Sequence, residues 1–260
     1  HLILILFGLA YIIPFFWLVS GSLKSNPELF ANPPVIFPKV PKWSNYYEAL
    51  TSFPFWLYLK NTLIIIFGNI LGNLISNSLI AYGFSRIEWK GRDVVFVIVL
   101  MTMMLPFPAI MIPLFLLFQK FKWIGTFLPM IVPSFFGNAF YIFLLRQFFI
   151  GIPSELSQAA KIDGANEFLI FSRIILPLSK PALTTVVVFT FLRSWNDFVG
   201  PLIFLSDNKL YTLSIGVQQI MSQNDPRWPL LLAIGVCMVV PVLIIFFLLQ
   251  KYFIQGITLS

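Results

Sequence analysis

The sequence predicts an all-α polytopic membrane protein with about six transmembrane helices and one helix–Gly–helix loop. Three observations carry that prediction. Of 260 residues, 58% are hydrophobic and only 10% are charged, at a mean hydropathy of +0.89. A water-soluble domain carries about 25% charged residues, and a set of bilayer-spanning helices accounts for the difference. The apolar runs are separated by polar turns and loops, each run long enough to cross a bilayer. One long segment, Ile152 to Leu183, is polar by comparison and carries its own helix-start and helix-stop signals. Internal repeats, low-complexity tracts and linkers are not evident, so residues 1–260 read as a single transmembrane domain.

The first span is expected from Leu2 to about Ser22, with Pro14 inside it. Proline is tolerated in a membrane helix where neighbours satisfy the freed carbonyl. The chain opens directly in this apolar run, without a basic leading region or small-residue cleavage site. It reads as the start of a trimmed span and not as a signal peptide. Lys24 to about Leu57 is a polar loop rich in proline (Pro27, Pro33, Pro34, Pro38, Pro41) and in aromatics (Trp43, Tyr46, Tyr47) that suit the headgroup level. An ordered surface loop and a contact site for an external partner are both compatible with it.

The second span, Leu59 to Phe84, carries a packing code. Gly68 and Gly72 form G-x-x-x-G, extended by Ser76, which lets another backbone approach closely. Asn69, Asn73 and Asn77 recur every four residues and share one helix face. Amides in hydrocarbon need partners, so this face is expected to meet protein or water, as interhelical glue or as the lining of a pathway. Arg86, Lys90 and Arg92 mark a tight turn. The third span, about Val94 to Phe118, contains Pro106, Pro108 and Pro113; the fourth, about Thr126 to Phe149, contains Pro129 and Pro133. Both are expected to be kinked or broken, as spans lining transport paths often are.

In the polar segment, Pro153 and Ser154 start a helix, with Ser154 as the expected N-cap and Glu155 at the positive end of the dipole. Asp163-Gly164 ends it, because glycine adopts the left-handed conformation that closes helices. Asn166 and Glu167 begin a second helix, with Phe168, Phe171, Ile174 and Ile175 at helical spacing. Pro177 is expected to break it, and Pro181 suits the first turn of the next. The fifth span, about Ala182 to Leu205, holds Arg193 and Asp197 four residues apart, beside Trp195 and Asn196. An unpaired charge at the bilayer centre costs about 2.5–3.5 kcal/mol, so an i,i+4 ion pair or a cavity-lining role is expected for this group. Ser206 to about Pro229 reads as a second polar loop and Leu230 to Phe253 as the sixth span.

Gln158-Ala159-Ala160, Gly164 and Ile174-Ile175-Leu176-Pro177 resemble the Glu-Ala-Ala coupling loop of permease subunits of ATP-binding-cassette importers. Phe143–Phe149, Ile162–Ala165, Pro177–Pro181 and Trp195–Phe198 followed by Gly200-Pro201-Leu202 resemble the carbohydrate branch of that family, of maltose/oligosaccharide type. The departure is Gln158, which stands where the family usually has glutamate. The resemblance implies a cytoplasmic loop over about 152–180, with Glu155, Gln158, Ala159, Ala160, Asp163 and Gly164 coupling to the ATPase. It implies a second homologous permease, two ATP-binding subunits, an extracytoplasmic solute-binding protein that delivers a sugar or oligosaccharide, and a multi-pass place in a bacterial inner membrane. Arg193, Trp195, Asn196, Asp197, Asn69 and Asn73 are the candidate pathway residues, and Gly68 and Gly72 the candidate packing residues.

Much chemistry is excluded. Cys237 is the one cysteine and His1 the one histidine, so an intrachain disulfide, a cysteine metal cluster and histidine-based triads are ruled out. No phosphate-loop motif is present, so this chain does not bind ATP in that mode. No catalytic constellation, metal site or cofactor is expected. The +7 formal charge is scattered over loops, which points to anionic lipid headgroups and not to nucleic acid. An ion-gradient-driven carrier is the alternative, but Asp197 is the one acidic candidate within a span. Basic residues divide evenly between the two faces, so charge does not set the orientation.

Overall fold

The computed structural model describes residues 1–222 and 227–258, leaving aside the side chains of residue 2 and of residues 251–258. Among the described residues, four helices are long and apolar enough to cross a membrane: Ile3–Ser22, Phe55–Ser85, Leu128–Ile150 and Trp228–Gln250. Two bent pairs bring the number to six if each is one span: Arg92–Met104 with Phe107–Lys120, bent by 99°, and Glu167–Leu178 with Lys180–Trp195, bent by 76°. The all-α fold with several apolar helices therefore agrees with the sequence prediction.

The first bend has a local cause. Leu105 precedes Pro106 and is extended (φ −80°, ψ 111°), because the proline ring disfavours the helical conformation of the residue before it. Pro108 then sits in the first turn of the next helix, where its missing N–H costs nothing. The second bend lies at Ser179, not at Pro177 as expected. The helix passes through Pro177 to Leu178 because a π-helical turn, Phe171–Ile175, immediately precedes it. That wide turn shifts the hydrogen-bond ladder where proline would otherwise leave a carbonyl unpartnered.

The chain forms two compact units. One comprises His1–Asn61 with Tyr211–Ile245, the other Thr62–Leu210 with Phe246–Ser260. In the first, the long polar loop is ordered by its own bonds. Lys24 is fully buried, its Nζ donating to Val35 O at 2.6 Å and lying 4.4 Å from the Trp17 ring centroid. Asn45 Nδ2 donates to the carbonyls of Ser22 and Lys24, at 2.8 and 2.9 Å, where the first helix ends. Phe37, Val40, Trp43 and Tyr47 are left exposed on this loop. The stretch read as a second polar loop holds a helix, Leu213–Met221, with Leu213, Ile215, Gly216 and Ile220 buried. A Cβ on Gly216 would approach Tyr58 and Phe53 to 2.6 and 2.7 Å, so this helix packs closely. Of the predicted loop over 206–229, residues 223–226 lie outside the described residues.

In the second unit, the predicted glycine face of the Phe55–Ser85 helix meets residues 131–135. A Cβ on Gly68 would lie 2.7 Å from Ile131, and one on Gly72 2.0 Å from Ser134 Oγ. Ser76 Oγ donates to Ser134 O at 2.9 Å, continuing the same stripe. Lipid tails are as apolar as leucine, so such close backbone approach, and not hydrophobic burial alone, favours helix association. Two arginines link the ends of two helices reciprocally. Arg86, just past the long helix, donates to the carbonyl of Phe149 in the last turn of Ala139–Ile150 and to that of Ile152 beyond its end. Arg146 on that second helix donates through Nε to Phe84 O at 3.1 Å. Each cation sits where terminal carbonyls lack intrahelical partners and the dipole is negative.

Candidate functional site

The 152–180 loop is a two-helix elbow whose turn is built from the backbone outward. Its first helix is Ser154–Ile162, with Pro153 and not Ser154 as the N-cap. The expected Ser154 cap fails because Pro153, with its φ fixed near −54°, already supplies the extended residue before the helix. At the other end Gly164 takes φ +84°. Gly164 N donates to Lys161 O at 3.1 Å and Ala165 N to Ala160 O at 2.9 Å. This is the paired closure that a left-handed residue permits, and it satisfies two terminal carbonyls. Asn166 Oδ1 accepts from Leu169 N at 2.9 Å and starts the second helix.

The elbow's second half is anchored. Ile170, Phe171 and Ile175 are buried with Tyr82, Leu145, Phe149 and Val186. Its first half faces outward: Glu155, Gln158, Ala159, Asp163 and Gly164 are all exposed. Ala160 is half-buried and packs on the core, so of the alanine pair only Ala159 offers a free surface. Phe168, at helical spacing with the buried Phe171 and Ile175, is 71% exposed. Ile162, 87% exposed, and Leu156 join it on the outer surface. The sequence reasoning missed these apolar residues. Ile162 beside the Asp-Gly stop was the available signal, because no buried face continues through that turn.

A cavity of about 530 Å³ lies among the helices of this unit, within the usual range for small-molecule sites. Aromatic walls (Phe107, Phe118, Tyr141) alternate with polar groups. Asn69 Nδ2 donates to Ser194 Oγ at 3.0 Å, and Asn73 Nδ2 to Thr190 Oγ1 at 3.4 Å. These bonds tie the Phe55–Ser85 helix to Lys180–Trp195 along the cavity wall, so the two asparagines both hold helices together and line the space. Asn77 is fully buried instead, and its Oδ1 accepts from Asn138 N at 2.6 Å.

Arg193 and Asp197 both line the cavity, but not one turn apart on one helix. That expectation is corrected: the helix ends at Trp195, and a new one runs Val199–Phe204. Pro201 is the physical reason, since it cannot donate to Asp197 O and its ring would clash with that carbonyl in a continuous helix. Asp197 Oδ1 accepts instead from Gly200 N at 3.1 Å. Gly200 leaves room there, because a Cβ would come within 2.6 Å of Asp197 Oδ2 and displace the carboxylate. Two further candidates do not line this cavity. Trp195 is buried and stacks on Phe191 with centroids 5.4 Å apart, away from the cavity. Asn196 is exposed and turns back to donate to Leu192 O at 2.8 Å.

A family model described as "Binding-protein-dependent transport system inner membrane component" matches residues 65–259. The chain belongs to this family. It is 36% identical to the arabinooligosaccharides transport system permease protein AraQ of Bacillus subtilis (strain 168), covering 100% of this chain and 93% of that protein. It is 31% identical to the trehalose/maltose transport system permease protein MalG of Thermococcus litoralis, covering 98% of this chain and 92% of that one. Among solved structures it resembles a chain of a bacterial ABC transporter involved in the import of the acidic polysaccharide alginate. That match has a TM-score of 0.87 at 26% identity and covers 97% of this chain and 94% of the other.

In this transport-system membrane component, Asp197 has a structural duty separable from its charge. Asp197→Asn keeps an acceptor for Gly200 N and is expected to unfold at the parent's temperature. Asp197→Ala removes the acceptor and is expected to lose about 1 kcal/mol, as lost helix caps do. Thermal unfolding of the purified permease in detergent checks both, and equal stability of the two variants would refute the capping role.

Proposed function

We propose that this permease forms half of the translocation pathway of an ATP-driven importer for a sugar or oligosaccharide. A soluble extracytoplasmic binding protein delivers the substrate, a second homologous permease completes the path, and two ATPase subunits drive it from the cytoplasmic face of a bacterial inner membrane. The observation that carries this reading is the pairing, in one compact unit, of an outward-facing elbow with a cavity of mixed aromatic and amide lining. Membership of the family and the sugar systems named among the relatives support it. Aromatic faces pack against the apolar faces of sugar rings, and amides bond hydroxyls, which is the combination such a substrate needs. The exposed apolar residues Leu156, Ala159, Ile162 and Phe168 give the ATPase a shape to grip. With Gln158 neutral, docking relies on shape and hydrogen bonds, and depends weakly on salt. The exposed aromatics of the first polar loop suit contact with the binding protein.

The test is uptake of labelled arabinotriose and maltotriose into proteoliposomes holding the assembled transporter, its binding protein and internal ATP. Uptake is expected to stop when the ATPase subunits are inactivated, whatever the ion gradient. Uptake by this chain alone, abolished by an uncoupler and indifferent to ATP, would favour an ion-driven carrier and overturn the proposal. In intact cells of a Cys237→Ala background, Ser157→Cys is expected to resist an impermeant maleimide that labels Asn208→Cys. Labelling of both from outside would refute the cytoplasmic placement of the elbow.

A further inference from the structure

One carboxylate joins three elements at the base of the elbow. Glu167 Oε1 lies 2.6 Å from Lys161 Nζ, on the elbow's first helix. Its Oε2 accepts from the Tyr82 hydroxyl at 2.5 Å, on the long helix Phe55–Ser85. Glu167 itself opens the elbow's second helix. The Tyr82 ring is buried and packs on Phe171, with centroids 5.1 Å apart, so the hydroxyl is held in place.

This arrangement matters because of what surrounds Gly164. A Cβ at Gly164 would meet nothing within 4 Å, so the turn is not braced by packing. The first helix has an outward face and few internal anchors, and a push on it could swing it about the glycine. The Lys161–Glu167 pair closes that swing across the turn. The Tyr82–Glu167 bond then joins the closed elbow to a helix that carries Asn73, nine residues before Tyr82, or about 14 Å along the axis. Asn73 and Asn69 face the cavity.

We propose that Glu167 is a positioning residue that makes the elbow and the Phe55–Ser85 helix move as one body, through its bonds to Lys161 and Tyr82. The inference rests on the elbow being the coupling element. Motion delivered to Ser154–Ile162 then reaches the cavity wall through a rigid helix instead of being lost at Gly164. Hydrophobic packing alone does not serve, because Phe171 holds the second half of the elbow while the first half meets the core only through the small side chain of Ala160. Lys161 and Glu167 are both partly exposed, and an isolated exposed pair contributes little. The Tyr82 bond, with one partner charged and the other buried, is the stronger half of the clamp.

The experiment uses the assembled transporter in nanodiscs, with Cys237→Ala and Leu114→Cys as a reporter on the cavity wall. The rate of Leu114→Cys modification by a small impermeant maleimide is measured with and without ATP and vanadate, alongside ATP hydrolysis. Tyr82→Phe keeps the ring on Phe171 and removes only the hydroxyl; Glu167→Gln removes the charge. Both are expected to continue hydrolysing ATP while the nucleotide-driven change in labelling shrinks about tenfold, the scale of one lost charged hydrogen bond. The double variant is expected to be no worse than the stronger single, as for partners in one interaction. A merely structural defect would lower hydrolysis and labelling change together, and that outcome overturns the proposal. A parent-sized labelling change in both singles overturns it too. Gly164→Leu separates the two levels. If it abolishes the labelling change while Tyr82→Phe does not, the clamp fails and the coupling element stands. If neither variant matters, the coupling reading itself fails.

Discussion

Gly164→Leu is expected to abolish transport while the permease still inserts and assembles. Gly164 has φ +84°, a conformation that costs a residue with a Cβ about 1–2 kcal/mol. No atom lies within 4 Å of the added Cβ, so the penalty is purely conformational and the body of the protein does not feel it. The strain is relieved by opening the turn, which breaks the bonds from Gly164 N to Lys161 O and from Ala165 N to Ala160 O. The first helix is then expected to re-aim, and with it the surface of Ala159 and Ile162 that is proposed to meet the ATPase. Hydrolysis stimulated by loaded binding protein is expected to fall at least about tenfold, with membrane content unchanged. Gly164→Asn should recover most of the activity, since asparagine visits the left-handed region far more readily than leucine. Transport at the parent's rate by Gly164→Leu would show that the elbow is not the coupling element.

Gly72→Leu should damage the molecule in a different way, by preventing it from packing. The new Cβ would lie 2.0 Å from Ser134 Oγ and 2.8 Å from Phe135. Rotating the Ser134 hydroxyl away would break its bond to Ile131 O and would still leave the Phe135 ring in the way, on a backbone held by the bond from Ser76 Oγ to Ser134 O. The helix must separate from residues 131–135, losing the neighbouring Gly68–Ile131 approach as well. Overpacking in a tight site costs about 1–3 kcal/mol, and the loss of two adjacent contacts places this variant at the upper end. Thermal unfolding in detergent should shift down by several degrees, with little folded protein recovered. Gly83→Ala is the control: its Cβ meets nothing within 4 Å, and removing a helical glycine is expected to be neutral or stabilising by up to about 1 kcal/mol. Equal unfolding temperatures for Gly72→Leu and the parent would mean that the close approach is not required.

The elements that sequence by itself determined are those whose causes are local. Apolar run length set the spans, because a bilayer demands about twenty residues whatever lies beside them. Pro106 and Pro108 announced the broken third span through the backbone alone. Asp163-Gly164 marked the elbow because a left-handed closure depends on one residue's missing Cβ. The glycine stripe was legible as a face, though not its partner, since nothing in positions 68, 72 and 76 names Ile131 or Ser134.

What the tertiary structure decided are the cases where a local rule had a competitor. Arg193 and Asp197 read as one turn of helix, but Pro201 has no N–H to give the Asp197 carbonyl, the helix ends at Trp195, and the Asp197 carboxylate accepts from Gly200 N. Pro177 read as a stop, yet a π-turn upstream carried the helix past it. Trp195 and Ala160 looked like functional surface by type but are held inward by Phe191 and by the core, while the apolar Ile162 and Phe168 stand outside. Glu167 read only as the start of the second helix. That it reaches Tyr82, 85 residues away, depends on how the long helix passes the elbow, a long-range placement that no periodicity encodes.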